Sequence, residues 1–113
     1  MTKVYNKIFE DISLYEMSNF FPEDTGLPYI LWITTKSGRE KHEARVEIAN
    51  SDGEAIIMIW GTPEIKSKKG KIRISGKQFK KLSLFIELNR EALLAHWSGE
   101  ISSGQLAKKL KKV

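Results

Sequence analysis

The chain contains no cysteine among its 113 residues, and this absence excludes several kinds of chemistry. Without thiols there can be no disulfide framework, no cysteine-ligated zinc or iron–sulfur site and no cysteine nucleophile. Nor does any apolar run approach the ~20 residues that a membrane-spanning helix needs. We therefore expect a soluble, cytoplasmic protein without membrane association, whose 113 residues form one domain.

Charge is plentiful but unevenly distributed. Residues 1–60 hold six Lys or Arg and ten Asp or Glu, whereas residues 61–113 hold thirteen and four, within a net charge of +5. The first half therefore carries −4 and the second half +9. This asymmetry indicates an anionic partner for the second half, either nucleic acid or an acidic protein. Simple solvation of outward-facing strands and helices would produce the same pattern.

The middle of the chain has the patterns of a sheet. Residues 27–35 are rich in β-branched and aromatic side chains, and residues 45–48 alternate polar with apolar. Asn50-Ser51-Asp52-Gly53 has turn chemistry, so residues 54–60 return as the second strand of a hairpin.

Both long strands, residues 27–35 and 54–60, are apolar on both faces. A helix should cover one face, and the N-terminal segment, a second copy in a homodimer or a cognate protein should cover the other.

Helical patterns flank this sheet. Apolar residues recur at helical spacing over residues 6–19 and over residues 76–97, where Ser75 can cap the helix. Ser102 and Gln105 form a capping box before a last helix. Residues 64–70 are predicted as a basic loop, and residues 71–74 as a short fourth strand.

The predicted fold is therefore α+β and single-domain. It has a three- to four-stranded, mainly antiparallel sheet packed by a long C-terminal helix, with a short terminal helix. Its parts are an N-terminal segment over residues 1–26, the sheet over 27–74, the long helix over 76–97 and the short helix over 103–111.

The strongest candidate binding surface is a cluster of eight cations within the sixteen residues 66–81. Lysine-rich segments contact phosphates without reading bases, and such binding is sensitive to salt. Tyr29, Trp32, Trp60 and Phe85 could stack on bases, although aromatics in strands and helix stripes usually belong to a core. The eight cations, called here the basic surface, are Lys66, Lys68, Lys69, Lys71, Arg73, Lys77, Lys80 and Lys81.

Two histidines are the candidates for acid–base chemistry. His42 lies between Arg39 and Arg45, and a histidine that titrates near neutral pH beside arginines that stabilise phosphate charge suits RNA cleavage. A solvated turn explains the same residues. His96, near a predicted helix end, suits a capping or packing role. No ligand spacing predicts a metal site, and no cofactor is expected.

One segment carries a family resemblance. Residues 86–97 read Ile-Glu-Leu-Asn-Arg-Glu-Ala-Leu-Leu-Ala-His-Trp. This run resembles the Ile-Glu-Leu-His-Arg-Glu-Glu-Leu-Leu-x-x-Trp-like helix of a small prokaryotic family of unknown function. Residues 41–46 resemble the start of that family's His-containing hairpin, without its second histidine. The resemblance spans about residues 42–97. It implies a hairpin followed by a long helix, and pairing with a cognate small protein encoded alongside, as in toxin–antitoxin systems.

Three functions are compatible with these observations. The first is a non-enzymatic interaction module that binds a cognate protein or nucleic acid through the basic second half. The alternative is a small toxin-type ribonuclease that uses His42 with Arg39 and Arg45. The third is a structural or regulatory protein with no nucleic-acid role.

The ribonuclease alternative makes a direct prediction. Purified wild-type protein should cleave RNA, and His42→Ala should not, because the substitution removes the group that transfers the proton. Gel analysis of a labelled RNA incubated with each protein measures this. Equal cleavage by the two proteins would exclude His42 from the mechanism.

Overall fold

The computed structural model describes residues 17–35 and 39–113, in which five strands form an antiparallel meander. Each strand pairs with the strand that precedes it in sequence. This arrangement confirms the α+β fold, with five strands instead of three or four. The strands are β1 (Met17–Phe20), β2 (Ile30–Thr34), β3 (Arg45–Asn50), β4 (Gly53–Met58) and β5 (Glu64–Gly70).

The predicted hairpin is confirmed as β3 and β4. Asn50 pairs with Gly53, which leaves Ser51 and Asp52 as a two-residue loop. The side-chain oxygen of Asn50 accepts the backbone N–H of Asp52 at 2.8 Å. The turn residues therefore act as their chemistry predicts, since an Asx side chain closes the turn locally.

The helix predicted over residues 6–19 is wrong at its C-terminal end. Residues 1–16 lie outside the described residues, but Met17–Phe20 is β1, paired with β2. Phe20 pairs with Leu31 and is buried on the inner face of the sheet. Tertiary pairing thus overrides a helical spacing that weakens over these last residues.

Residues 64–70 form the edge strand β5, so the prediction of a loop there is wrong, as is the strand predicted over 71–74. Lysines suit an exposed edge strand because their charge prevents pairing with another chain. Gly70 ends the pairing in a left-handed conformation (φ +76°), and a Cβ there would lie 2.6 Å from the carbonyl oxygen of Asp52. The chain then leaves the sheet, and Ile72 is buried outside any strand.

Three α-helices and one 3₁₀ turn complete the described fold: α1 (Pro22–Thr25), the 3₁₀ turn (Lys41–Glu43), α2 (Gly76–Trp97) and α3 (Ser103–Lys109). The range of α2 matches the prediction, and α3 ends two residues early. Ser75 and Ser102 cap these helices, each in a reciprocal pair with the glutamine three residues on. None of the described helices is long and apolar enough to cross a membrane.

The core lies between α2 and the inner face of the sheet. Along β2, β3 and β4, buried residues of the inner face alternate with half-buried residues of the outer face. Leu106 of α3 joins the same core. The buried helix residues are spaced at three and four, as the apolar stripe predicts: Leu82, Phe85, Ile86, Leu93 and Trp97.

The outer face of the sheet is partly apolar. Ile30, Trp32, Ile56 and Met58 are half-buried there, among charged neighbours such as Glu47. The N-terminal segment that could cover this face begins with residues outside the described part of the chain. The predicted second cover, and with it the homodimer, therefore stays a prediction.

Asn89 is a buried polar residue that holds the chain after α3 against α2. Its amide nitrogen donates to the carbonyl oxygens of Phe85 and Lys111, both at 2.9 Å, and its side-chain oxygen accepts the N–H of Lys111 at 2.7 Å. Val113 then donates to the carbonyl oxygen of Thr25 at 2.9 Å. One side chain thus fixes residues 110–113 across the helix.

We expect Asn89→Ala to lower the free energy of unfolding by about 1–3 kcal/mol, because it removes three hydrogen bonds of a buried side chain and leaves partly buried backbone groups of Lys111 without this partner. Urea denaturation followed by circular dichroism measures the loss. The exposed neighbour Glu91→Ala is the control and should change stability by less than about 0.5 kcal/mol. Equal shifts of the two midpoints would contradict the role of Asn89.

Candidate functional site

All eight cations of the basic surface are exposed to solvent. Three lie on β5, two in the segment that follows it and three in the first turns of α2. Within residues 17–35 and 39–113 the single ion pair joins Arg90 to Glu87, at 3.0 Å between Nη2 and Oε1. No described carboxylate therefore forms an ion pair with the basic surface.

The fold gives a reason for the lysines on β5 but not for those on α2. A register shift between Ile56 and Ile57 makes Lys66 the extra residue of a bulge, and edge strands commonly carry bulges and lysines. By contrast, Lys77, Lys80 and Lys81 occupy the N-terminal turns of α2, whose first turn holds no acidic residue. The helix dipole disfavours a cation in the first turn, so helix stability does not explain Lys77, whereas Lys80 and Lys81 lie one turn further on, beyond most of the effect of the dipole.

The three α2 lysines line an open groove of about 690 Å³ between α2 and the residues that precede β5. Its apolar lining comes from Pro63, Phe79 and Leu84, and Leu84 is 60% exposed. One carboxylate also lines it, that of Glu87, which pairs with Arg90. This cavity, called the Lys-lined groove, combines exposed apolar surface with an excess of positive charge.

A second groove, of about 540 Å³, separates the end of α2 from α3. Leu88 contributes apolar surface and is 46% exposed, and Lys108, Lys109 and Lys111 contribute charge. Leu88 follows Leu84 by one helical turn, so the two exposed leucines lie on the same side of α2 but line different grooves. Leu88 is therefore a matched control for Leu84.

Arg90 shapes one wall of the Lys-lined groove, a role that the sequence analysis missed. Its Nε donates to the carbonyl oxygen of Ile59 at 3.1 Å, and its guanidinium also donates to the carbonyl oxygen of Gly61. These bonds tie the chain just before Thr62 and Pro63 to α2. In the sequence Arg90 stands between exposed glutamates, and nothing there signals a contact with a strand end.

The three predicted catalytic residues have different surroundings in the structure. Arg39 lies over the ring of Trp97, 4.7 Å from its centroid, and donates to Thr34 Oγ1 at 3.3 Å. Arg45, the first residue of β3, donates from Nε to the carbonyl oxygen of Glu43 at 3.1 Å. His42 is exposed in the 3₁₀ turn, and its positive charge and that of Arg45 both act on the Glu43 carboxyl.

The aromatic candidates for base stacking are also dispersed. Tyr29 and Phe85 are buried in the core, and Trp32 is half-buried on the outer face. Trp60 is 46% exposed, with Lys41 Nζ 5.6 Å from its ring centroid. None of the four lines the Lys-lined groove. His96 is buried, with Nε2 3.4 Å from Ser103 Oγ, which agrees with its predicted packing role.

Comparison with known proteins gives no relative. No protein-family model, curated protein or solved structure matches the chain. Across the described residues, no three His, Asp or Glu side chains form a group that could hold a metal ion. The family resemblance of residues 42–97 stays a prediction, and the basic surface is the feature from which a function can be argued.

The carboxyl group of Glu43, in the 3₁₀ turn, has a lowered pKa. Its Oε2 accepts the backbone N–H of Glu40 at 2.8 Å. That hydrogen bond, followed by the positive charges of His42, Arg45 and Lys66, lowers the pKa of the Glu43 carboxyl. Since the ionised form is favoured in the folded protein, the carboxylate stabilises the turn above its ordinary pKa, and this contribution is lost as pH falls through the lowered pKa.

We expect carbon-detected NMR to show Glu43 titrating with a midpoint below its ordinary 4.5. Below that midpoint the amide signals of residues 40–44 should move toward those of Glu43→Gln, whose side chain lacks the charge at every pH. A midpoint at or above the ordinary value would show that the hydrogen bond does not favour the charged form.

Proposed function

We propose that this protein is a non-enzymatic interaction module that binds an anionic macromolecule, a cognate protein or nucleic acid, through the basic surface. The observation that carries the proposal is the set of exposed lysines in the N-terminal turns of α2, without ion pairs to described carboxylates. Cations at this end add to the positive end of the helix dipole. Together they create a field that attracts negative charge.

The structure of the edge strand refines this proposal. Protection of the sheet edge is reason enough for Lys66, Lys68 and Lys69. Lys77, Lys80 and Lys81 have no such explanation, so they are the first residues to test. A cognate small protein is the partner that the family resemblance implies, and nucleic acid is the partner that lysine-rich surfaces most simply fit. The ribonuclease alternative stays the second candidate, and it requires Arg39 and Arg45, which donate to Thr34 and Glu43, to act with His42 on one RNA phosphate.

We predict that reversing the charge of the α2 lysines weakens binding to anionic polymers by at least about tenfold. The variant carries Lys77→Glu, Lys80→Glu and Lys81→Glu. Fluorescence anisotropy with random RNA, random DNA and polyglutamate, each at low and high salt, measures the effect. Wild-type binding should fall steeply with salt. Folding should be preserved, because glutamate at a helix N-terminus is favoured by the dipole.

The matched control carries Lys108→Glu, Lys109→Glu and Lys112→Glu, which changes the net charge by the same amount. It should retain most of the affinity. Equal loss in both variants would show that binding follows net charge instead of the basic surface. Binding that does not depend on salt, or no binding to any of the three polymers, would overturn the proposed function.

A further inference from the structure

The Lys-lined groove offers more than positive charge. Leu84 is the most exposed of the large hydrophobic residues in the described chain, at 60%, and it stands beside Phe79 and Pro63 in the same cavity. Pro63 is buried and Phe79 half-buried, so the exposed apolar surface is mainly that of Leu84. An exposed leucine flanked by cations suits a ligand that carries both apolar groups and negative charge. Purely electrostatic binding to a phosphate backbone does not require an exposed leucine.

The apolar lining favours a protein over a nucleic acid. Nucleic-acid surfaces that hold single strands present aromatic rings on which bases stack. In the Lys-lined groove one aromatic ring, that of Phe79, is half-buried, the most exposed apolar side chain is the aliphatic Leu84, and the four predicted stacking aromatics lie elsewhere. A leucine beside three lysines instead suits a peptide segment in which apolar side chains alternate with carboxylates.

The groove is built on fixed elements. Arg90 ties the carbonyl groups of Ile59 and Gly61 to α2, which holds one wall. The other wall is α2 itself, whose inner residues Leu82, Phe85 and Ile86 are fully buried. A pre-formed cleft of this kind binds a partner without first ordering its own backbone.

We infer that the Lys-lined groove is the docking site for an acidic, amphipathic segment of a partner protein. An apolar side chain of that segment packs against Leu84 and Phe79, while its carboxylates meet Lys77, Lys80 and Lys81. This inference rests on the proposed function and specifies its partner as a protein. The charges of the groove and of such a segment are complementary. Glu87, the one carboxylate that lines the groove, already pairs with Arg90, so the three lysines are left to meet carboxylates of the partner.

Two synthetic, fluorescein-labelled helical peptides and one oligonucleotide test this inference. The first peptide carries glutamates on one face and leucines on the other, the second replaces every leucine by glutamine, and the third probe is oligouridine. We expect the wild-type protein to bind the Glu/Leu peptide roughly tenfold more tightly than the Glu/Gln peptide, because a leucine buries apolar surface that glutamine does not. Amide shifts on titration should be largest for residues 77–84.

Leu84→Ala should abolish the preference for the Glu/Leu peptide, whereas the matched control Leu88→Ala should retain it. Both substitutions remove exposed side chains from the same helix, so neither should change the thermal midpoint appreciably. Equal affinity for the two peptides, or equal effects of the two substitutions, would overturn the inference. Tightest binding to oligouridine, unaffected by Leu84→Ala, would overturn it while leaving the proposed function. Absence of salt-dependent binding to all three probes would overturn both.

Discussion

Burial of one face of α2 against the inner face of the sheet is the interaction on which the other features depend. The inner face of the five-stranded meander is the more completely apolar face and must be removed from water, and α2 supplies the side chains that do so. Once Phe85, Leu93 and Trp97 are buried, the helix has no rotational freedom left. Its opposite side, with Leu84, Leu88 and the lysines, is then necessarily presented to solvent.

Two polar residues on α2 hold neighbouring segments of the chain against the helix. Asn89 holds residues 110–113 across the helix, and Arg90 holds the segment before β5. Both form hydrogen bonds with backbone groups. Such bonds fix the position of a chain segment more closely than apolar contacts alone would. The two residues are neighbours in sequence and project about 100° apart on the helix, so each holds a different segment of the chain against α2. Each of these segments lines one of the two grooves that flank α2.

The sequence predicted most of the architecture but little of the site. The β3–β4 hairpin and α2 were predictable, because Asn50 to Gly53 and Ser75 with Gln78 are local signals that need no tertiary information. The edge strand β5 was not, since its lysines resemble a loop until β4 is known to lie beside it. The eight cations could be identified from the sequence. The apolar groove between them could not, because it joins Pro63 to Leu84 across the fold.

The position of the lysines gives the charge asymmetry a meaning that composition alone cannot. On β5 they are compatible with protection of an edge, and in the last turn of α3 Lys108 and Lys109 complement the dipole. In α2, Lys77 opposes the dipole from the first turn, and Lys80 and Lys81 follow one turn later beside the exposed Leu84. Under the proposed function, a binding partner is the reason for these three charges. Long-range attraction would then bring the partner to this surface, and contact with Leu84 would select it.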